Sequence, residues 1–212
     1  MAKESLKNLG VSFSKSKQVR AEQSLVNLME AAEKIVNEGD VAGFNARNLA
    51  KVSGYSLGSL IQRLGKVENI FLHAIAYGRS RHIASLAEQI ENFGNEKTAA
   101  QFCEQIVDLS LGRMAVVGAP VIRYYESRAM GRTNNVGNIY AYTDEIIPTL
   151  QKIMNLNTTG TFRVISNYEM KYVARFIFQI LERPLAENDL LAGTEQHREM
   201  AINILSSLLC AS

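Results

Sequence analysis

Between Val41 and Val67 every charged side chain is basic: Arg47, Lys51, Arg63 and Lys66, with no carboxylate among them. Small and hydrogen-bonding residues, Ser56, Gly58, Ser59 and Gln62, are interleaved with these cations. Such a set suits contact with a nucleic acid. Guanidinium and ammonium groups neutralise phosphates, and serine hydroxyls bond phosphate oxygens or base edges. Glutamine bonds adenine at two points, and arginine does the same to guanine. Catalytic chemistry has no comparable cluster. His73, His82 and His197 are scattered, and Cys103 and Cys210 fall outside CxxC or any other metal-ligand spacing. No phosphate-cradling glycine loop occurs. The expectation is a protein that is not an enzyme and carries no cofactor. Two alternatives stay open: a helical adaptor that binds protein instead of DNA, and an all-α enzyme whose site has no recognisable motif.

Two short helices are expected to position the basic cluster. One runs from about Ala46 to Val52, capped by Asn45, with Leu49 facing inward. The next runs from about Leu57 to Leu64, capped by Ser56, with Leu60 and Leu64 on one face and Gly65 at its end. A Gly54-Tyr55 corner joins them into a helix-turn-helix. In that motif the second helix enters the major groove amino end first, so small or polar residues are wanted on its first turn. Ser56, Gly58 and Ser59 meet that demand. An earlier helix, about Gln18 to Asn37, buries Leu25, Leu28, Ala32, Ile35 and Val36 and is stopped by Gly39.

The whole chain has 212 residues, 47% of them apolar and 21% charged, with a net charge of only +2. Charge is unevenly distributed: residues 1–66 carry ten basic side chains against six acidic ones. That fits a nucleic-acid-contacting module joined to a near-neutral body. Three prolines in the entire chain, Pro120, Pro148 and Pro184, favour helices almost throughout. Beyond the first three, helices are expected over about Val67–Asn92, Ala99–Val117, Val121–Met130, Val136–Met154, Phe162–Leu181 and Gln196–Leu209. The segment Thr158–Ile165 is a weak strand candidate that reads better as the start of a helix. The expected fold is all-α with about nine helices: a flexible basic arm (1–17), a helix-turn-helix domain (18–66) and a helical ligand-binding and dimerisation domain (67–212). Residues 1–17 lack the apolar core of a signal peptide, and no apolar run approaches the roughly 20 residues of a membrane helix. A cytoplasmic protein that meets no membrane is expected.

Aromatic and sulfur-bearing residues concentrate after residue 100. A ligand cavity between helices would be lined by such residues, and Phe102, Met114, Tyr124, Tyr125, Tyr140, Tyr168 and Tyr172 are the candidates. The same residues could simply be core. The last two helices carry broad apolar faces, with Tyr168, Tyr172, Phe176 and Ile180 on one and Leu205, Leu208 and Leu209 on the other. Paired with their symmetry mates they would form a self-complementary four-helix interface.

The stretches Arg47-Asn48-Leu49-Ala50 and Gly54-Tyr55-Ser56-Leu57-Gly58-Ser59-Leu60, followed by Glu68 at the start of the fourth helix, resemble the TetR family of bacterial transcriptional regulators. The resemblance covers about residues 18–75. It implies a homodimer whose heads bind a palindromic operator and whose bodies hold a small-molecule effector that releases a repressor. Carried over by position, it makes Arg47, Ser56, Leu57, Ser59, Gln62, Arg63 and Lys66 the DNA-facing residues, with Lys15, Lys17 and Arg20 adding contacts from the arm. Three positions depart from the family pattern. Ile61 stands where a phosphate-bonding Tyr is usual, Leu64 where an aromatic is usual, and Val67 where a Lys commonly contacts the backbone.

Overall fold

The computed structural model describes residues 19–64, 66–129 and 141–211. Among them the fold is all-α. Nine α-helices occur: α1 (Val19–Asn37), α2 (Ala46–Ser53), α3 (Leu57–Leu64), α4 (Glu68–Glu91), α5 (Ala99–Val117), α6 (Ala119–Ala129), α7 (Ile147–Leu156), α8 (Asn167–Glu187) and α9 (Glu195–Leu209). Short 3-10 turns at Val41–Gly43 and Ala141–Ile146 precede α2 and α7. Several ends have a local cause. The Thr98 hydroxyl and the Gln101 side chain form a reciprocal capping box at the start of α5. Ser166 and Thr194 each accept a backbone N–H in the first turns of α8 and α9. Gly54 and Gly94 take positive φ values of 74° and 88° after α2 and α4, a backbone shape that costs glycine little.

Several expected boundaries move. Of the helix expected over Val136–Met154, residues 136–140 lie outside the described residues and Ala141–Ile146 is a 3-10 turn. α7 begins at Ile147 with Pro148 in its first turn, where a missing N–H breaks no helical bond. For the same reason Pro120 lies in the first turn of α6 instead of before it. The Thr158–Ile165 segment is neither strand nor helix start. It is an extended connection in which Phe162 forms an isolated antiparallel bridge with Cys210, while α8 waits for its Ser166 cap. Arg163 N–H donates to the Leu209 carbonyl at 2.9 Å and Ala211 N–H to the Thr161 carbonyl at 2.8 Å.

α8 also runs past its expected end at Leu181, with Pro184 inside it, and stops at Glu187, where Asn188 caps it at φ 60°. Pro184 has no N–H to give the Ile180 carbonyl. The His197 side chain on α9 takes over that partnership: its Nε2 lies 3.1 Å from the Ile180 carbonyl oxygen. Gly193 N–H donates to His197 Nδ1 at 2.9 Å, which leaves Nε2 as the protonated nitrogen and donor. His197 is buried, and both ring nitrogens are satisfied.

The chain divides into two compact units. The first contains, among described residues, 19–79 and 120–129. Leu28, Ala32, Leu49, Leu60, Ile70 and Phe71 are fully buried there. Phe44 stacks on Phe71, with centroids 5.1 Å apart, and receives the edge of Tyr124 at 5.0 Å. Arg128 lies 4.4 Å over the Tyr124 ring and pairs with Glu68; Arg79 lies 4.7 Å over Tyr125. Helix α6 thus packs against Phe44, just before α2, and against Glu68 and Arg79 of α4, although it lies roughly fifty to eighty residues downstream of them in the chain.

The second unit contains residues 80–119 and 141–211 among those described. Its centre is α5 packed against α9. Phe102 is fully buried between the edges of Phe93 and Phe162, at 5.2 and 5.5 Å. Arg198 on α9 pairs with Asp108 on α5, and Arg175 on α8 makes a two-pronged pair with Asp144 at 2.9 and 2.8 Å. Cys103 and Cys210 are both free thiols; burial pushes the Cys103 thiol up to about 12, which makes it inert.

Candidate nucleic-acid interface

Helix α2 is built to hold its shape without help from the solvent. The Asn45 side chain accepts the Asn48 N–H at 2.9 Å and donates to the Ala42 carbonyl at 2.8 Å. Gly54 N–H closes the other end on the Ala50 carbonyl. Leu49 at 0% exposure anchors α2 from below, and Leu60 at 0% anchors α3. With those two leucines inward, about 100° of rotation per residue sends Arg47 and Lys51 outward from α2 and Gly58 and Gln62 outward from α3.

Arg47, Lys51, Gln62 and Lys66 are all exposed. None of the three cations has an ion-pair partner among the described residues. Glu68, the carboxylate nearest Lys66 in sequence, is occupied by Arg128. The face therefore presents uncompensated positive charge, backed by free N–H groups at the amino ends of α2 and α3. The serines do more local work than their types suggest. Ser56 Oγ accepts the Ser59 N–H at 3.2 Å and lies 2.9 Å from Ser59 Oγ, so the pair is first a cap for α3. Leu57 (46% exposed) and Ile61 (55%) stand out on the same helix. Lys15 and Lys17 lie outside the described residues. Arg20 and Arg63 fall within α1 and α3, but their side chains are not among those described.

The candidates for an effector site fall in both units. Phe102 and Met114 are buried in the second unit, whereas Tyr124 and Tyr125 belong to the aromatic core of the first. Tyr168 and Tyr172 are exposed at 77% and 53%, their hydroxyls 3.4 Å apart; Tyr140 lies outside the described residues. The dimer candidates divide as well. Tyr168, Tyr172 and Phe176 form an exposed line along α8, but Ile180, Leu205 and Leu209 are buried within their own unit and Leu208 is half-buried. The apolar face of α9 is therefore spent on α5 and α8, for which period alone gives no warning.

Three polar groups in the second unit escaped the sequence reading. His82 Nε2 and Ser110 Oγ are buried and have no hydrogen-bond partner among the described residues. Burial, with Arg113 close by, lowers the His82 pKa to about 4, so the ring is neutral near pH 7. Half-buried Arg113 is one helical turn from Ser110 and has no carboxylate partner among the described residues. The available signal was a serine lying on the apolar stripe Cys103, Ile106, Val107, Ser110, Met114. Among the described residues no group of three or more His, Cys, Asp or Glu side chains could hold a metal ion. No single described helix is long and apolar enough to cross a membrane.

The solved structures similar to this chain share its all-α fold. No family model and no curated protein matches the sequence. A protein of Mesorhizobium loti assigned to the TetR family of transcriptional regulators superposes over 92% of this chain and 100% of its own, at 14% identity and a TM-score of 0.60. A TetR-family transcription regulator of Marinobacter aquaeolei superposes over 91% of this chain and 98% of its own, at 14% identity and a TM-score of 0.53. The chain has the all-α TetR fold, in a sequence far diverged from both.

Proposed function

We propose that the chain is a DNA-binding transcriptional regulator without enzymatic activity. It acts in the bacterial cytoplasm as a homodimer that represses from a palindromic operator and is released by a small-molecule effector. The observation that carries this reading is the α2–α3 surface. Arg47, Lys51 and Lys66 are exposed and unpaired among the described residues, around a capped helix whose anchoring leucines are fully buried. A fixed helix ringed by uncompensated cations matches a phosphate-lined groove. Residues 18–66 form the reading domain, with 1–17 as a basic arm, and residues 67–212 serve effector binding and dimerisation.

Helix α4 contributes to both compact units, so an effector bound in the body acts on the heads through it. Binding favours one arrangement of the body and changes the separation of the two heads, which then no longer match successive major grooves. The polar groups of the effector pair with His82 Nε2 and Ser110 Oγ, which have no hydrogen-bond partner among the described residues, and with nearby Arg113. Dimerisation uses the exposed line Tyr168, Tyr172 and Phe176.

A salt titration of the full chain on the DNA upstream of its own coding sequence tests the reading. Binding about a thousand-fold tighter than to random duplex, with affinity falling steeply as salt rises, is expected. Equal affinity for both DNAs, with and without metabolite extract, would remove the regulator. The adaptor reading draws on exposed Leu57 and Ile61. A protein partner held through α3 would favour it.

A further inference from the structure

The outer surface of α3 is not uniformly polar. Leu60 is fully buried, and about 100° per residue places Gly58 and Gln62 at the centre of the opposite face. Leu57 and Ile61 are one turn apart, about 40° from each other on one flank of that face. They are 46% and 55% exposed, so the flank is apolar and open. Adding a Cβ at Gly58 would meet nothing within 4 Å, so this position presents bare backbone to whatever approaches. Arg63 follows on the same helix, and the next cations in sequence, Arg47, Lys51 and Lys66, are all exposed.

An apolar pair within a positive surface fits a polyanion that carries apolar groups of its own. DNA has one such group on its major-groove base edges, the thymine C5-methyl. That methyl projects toward the side of the groove, where a flank of the inserted helix reaches it, while the centre of the helix faces the pairing edges. An isoleucine cannot bond a phosphate, so exposure of Ile61 is not explained by backbone contact. Gln62, beside it at the centre, has the amide that bonds adenine at two points.

We propose that Leu57 and Ile61 form a thymine-methyl reader, so that each operator half-site contains a thymine recognised through its methyl group. The proposal rests on the DNA-binding reading above and deepens it. Its test begins with the full-length protein and a selection from random duplexes, followed by replacement of each selected thymine with deoxyuridine, which removes only the methyl. One or two replacements per half-site are expected to weaken binding about four-fold each, the value of one buried methyl. Ile61→Ala and Leu57→Ala should abolish the discrimination between thymine and uracil at those positions. Their salt dependence and melting temperature should match the parent, because both residues are exposed. Selection of a defined sequence that tolerates deoxyuridine everywhere overturns the methyl reader and leaves the regulator intact. Failure to select any sequence overturns both, and capture of a protein by the parent that is lost in Ile61→Ala assigns the patch to a protein partner.

Discussion

At the scale of single residues, the proposed DNA contacts are of two kinds. Lys51 and Lys66 are expected to act mainly as point charges on phosphate, whereas Arg63, on α3, carries a guanidinium fork suited to guanine. Arg63→Ala is expected to cost about 1–3 kcal/mol on the preferred duplex and to relax the preference at one base pair. Lys51→Ala or Lys66→Ala should weaken binding evenly across sequences and reduce the salt slope by about one. Filter binding at four salt concentrations distinguishes the patterns, and an unchanged base preference in Arg63→Ala would remove it from base reading. The buried histidines make a separate residue-scale prediction. Burial lowers both His73 and His82 from 6.5 to about 4, so the unfolded chain binds protons that the folded chain refuses. Stability contributed by these neutral rings is complete above pH 6.5 and is lost as pH falls toward 4. The urea midpoint should fall across that window, by at most about 3 kcal/mol per histidine. His73→Gln combined with His82→Gln should flatten the slope, and a slope that survives would place its origin in other groups.

At the scale of elements, the joint between α8 and α9 is made by a proline and a histidine thirteen positions apart in the chain. Pro184 leaves the Ile180 carbonyl without its helical partner, and His197 supplies the missing donor at 3.1 Å. His197→Ala therefore strands a buried carbonyl and is expected to cost about 2–3 kcal/mol in urea denaturation. Pro184→Ala restores an N–H to the helix, so the same histidine truncation in that background should cost about 1 kcal/mol less. Additive effects of the two substitutions would show that they act separately. Helix α6 makes a comparable point. Its Arg-Tyr-Tyr-Glu-Ser-Arg run reads as a mixed, half-solvated face, but Tyr124 and Arg128 close onto Phe44 and Glu68 of the first unit. No periodicity within α6 could reveal that partner, because the contact joins segments about eighty residues apart.

At the scale of the whole molecule, the exposed line Tyr168, Tyr172 and Phe176 on α8 leaves large apolar area to be covered. For the proposed homodimer, replacing the three by serine is expected to leave a monomer in sedimentation at micromolar concentration. It should also lower affinity for a two-half-site duplex far more than for a single half-site. A variant that stays dimeric would move the interface elsewhere.

The sequence by itself determined most of the helices, the Asn45 and Ser56 caps and the exposed basic surface of α2 and α3. Those features depend on neighbours three or four positions away: Asn45 capping α2, Gly54 turning the corner, Leu49 and Leu60 fixing which sides face out. Prolines were harder to place, since a first-turn Pro148 and an interior Pro184 look alike until their helices are built. Only the tertiary structure decided the rest. Whether an apolar stripe meets its own chain or a second copy depends on distant segments, and so Leu205 and Leu209 are interior while Tyr168 and Tyr172 are not. The same holds for His82 and Ser110, whose significance lies in what fails to bond them. A residue's local pattern sets the direction its side chain takes from the helix, but what it meets there is set by the packing of the whole chain.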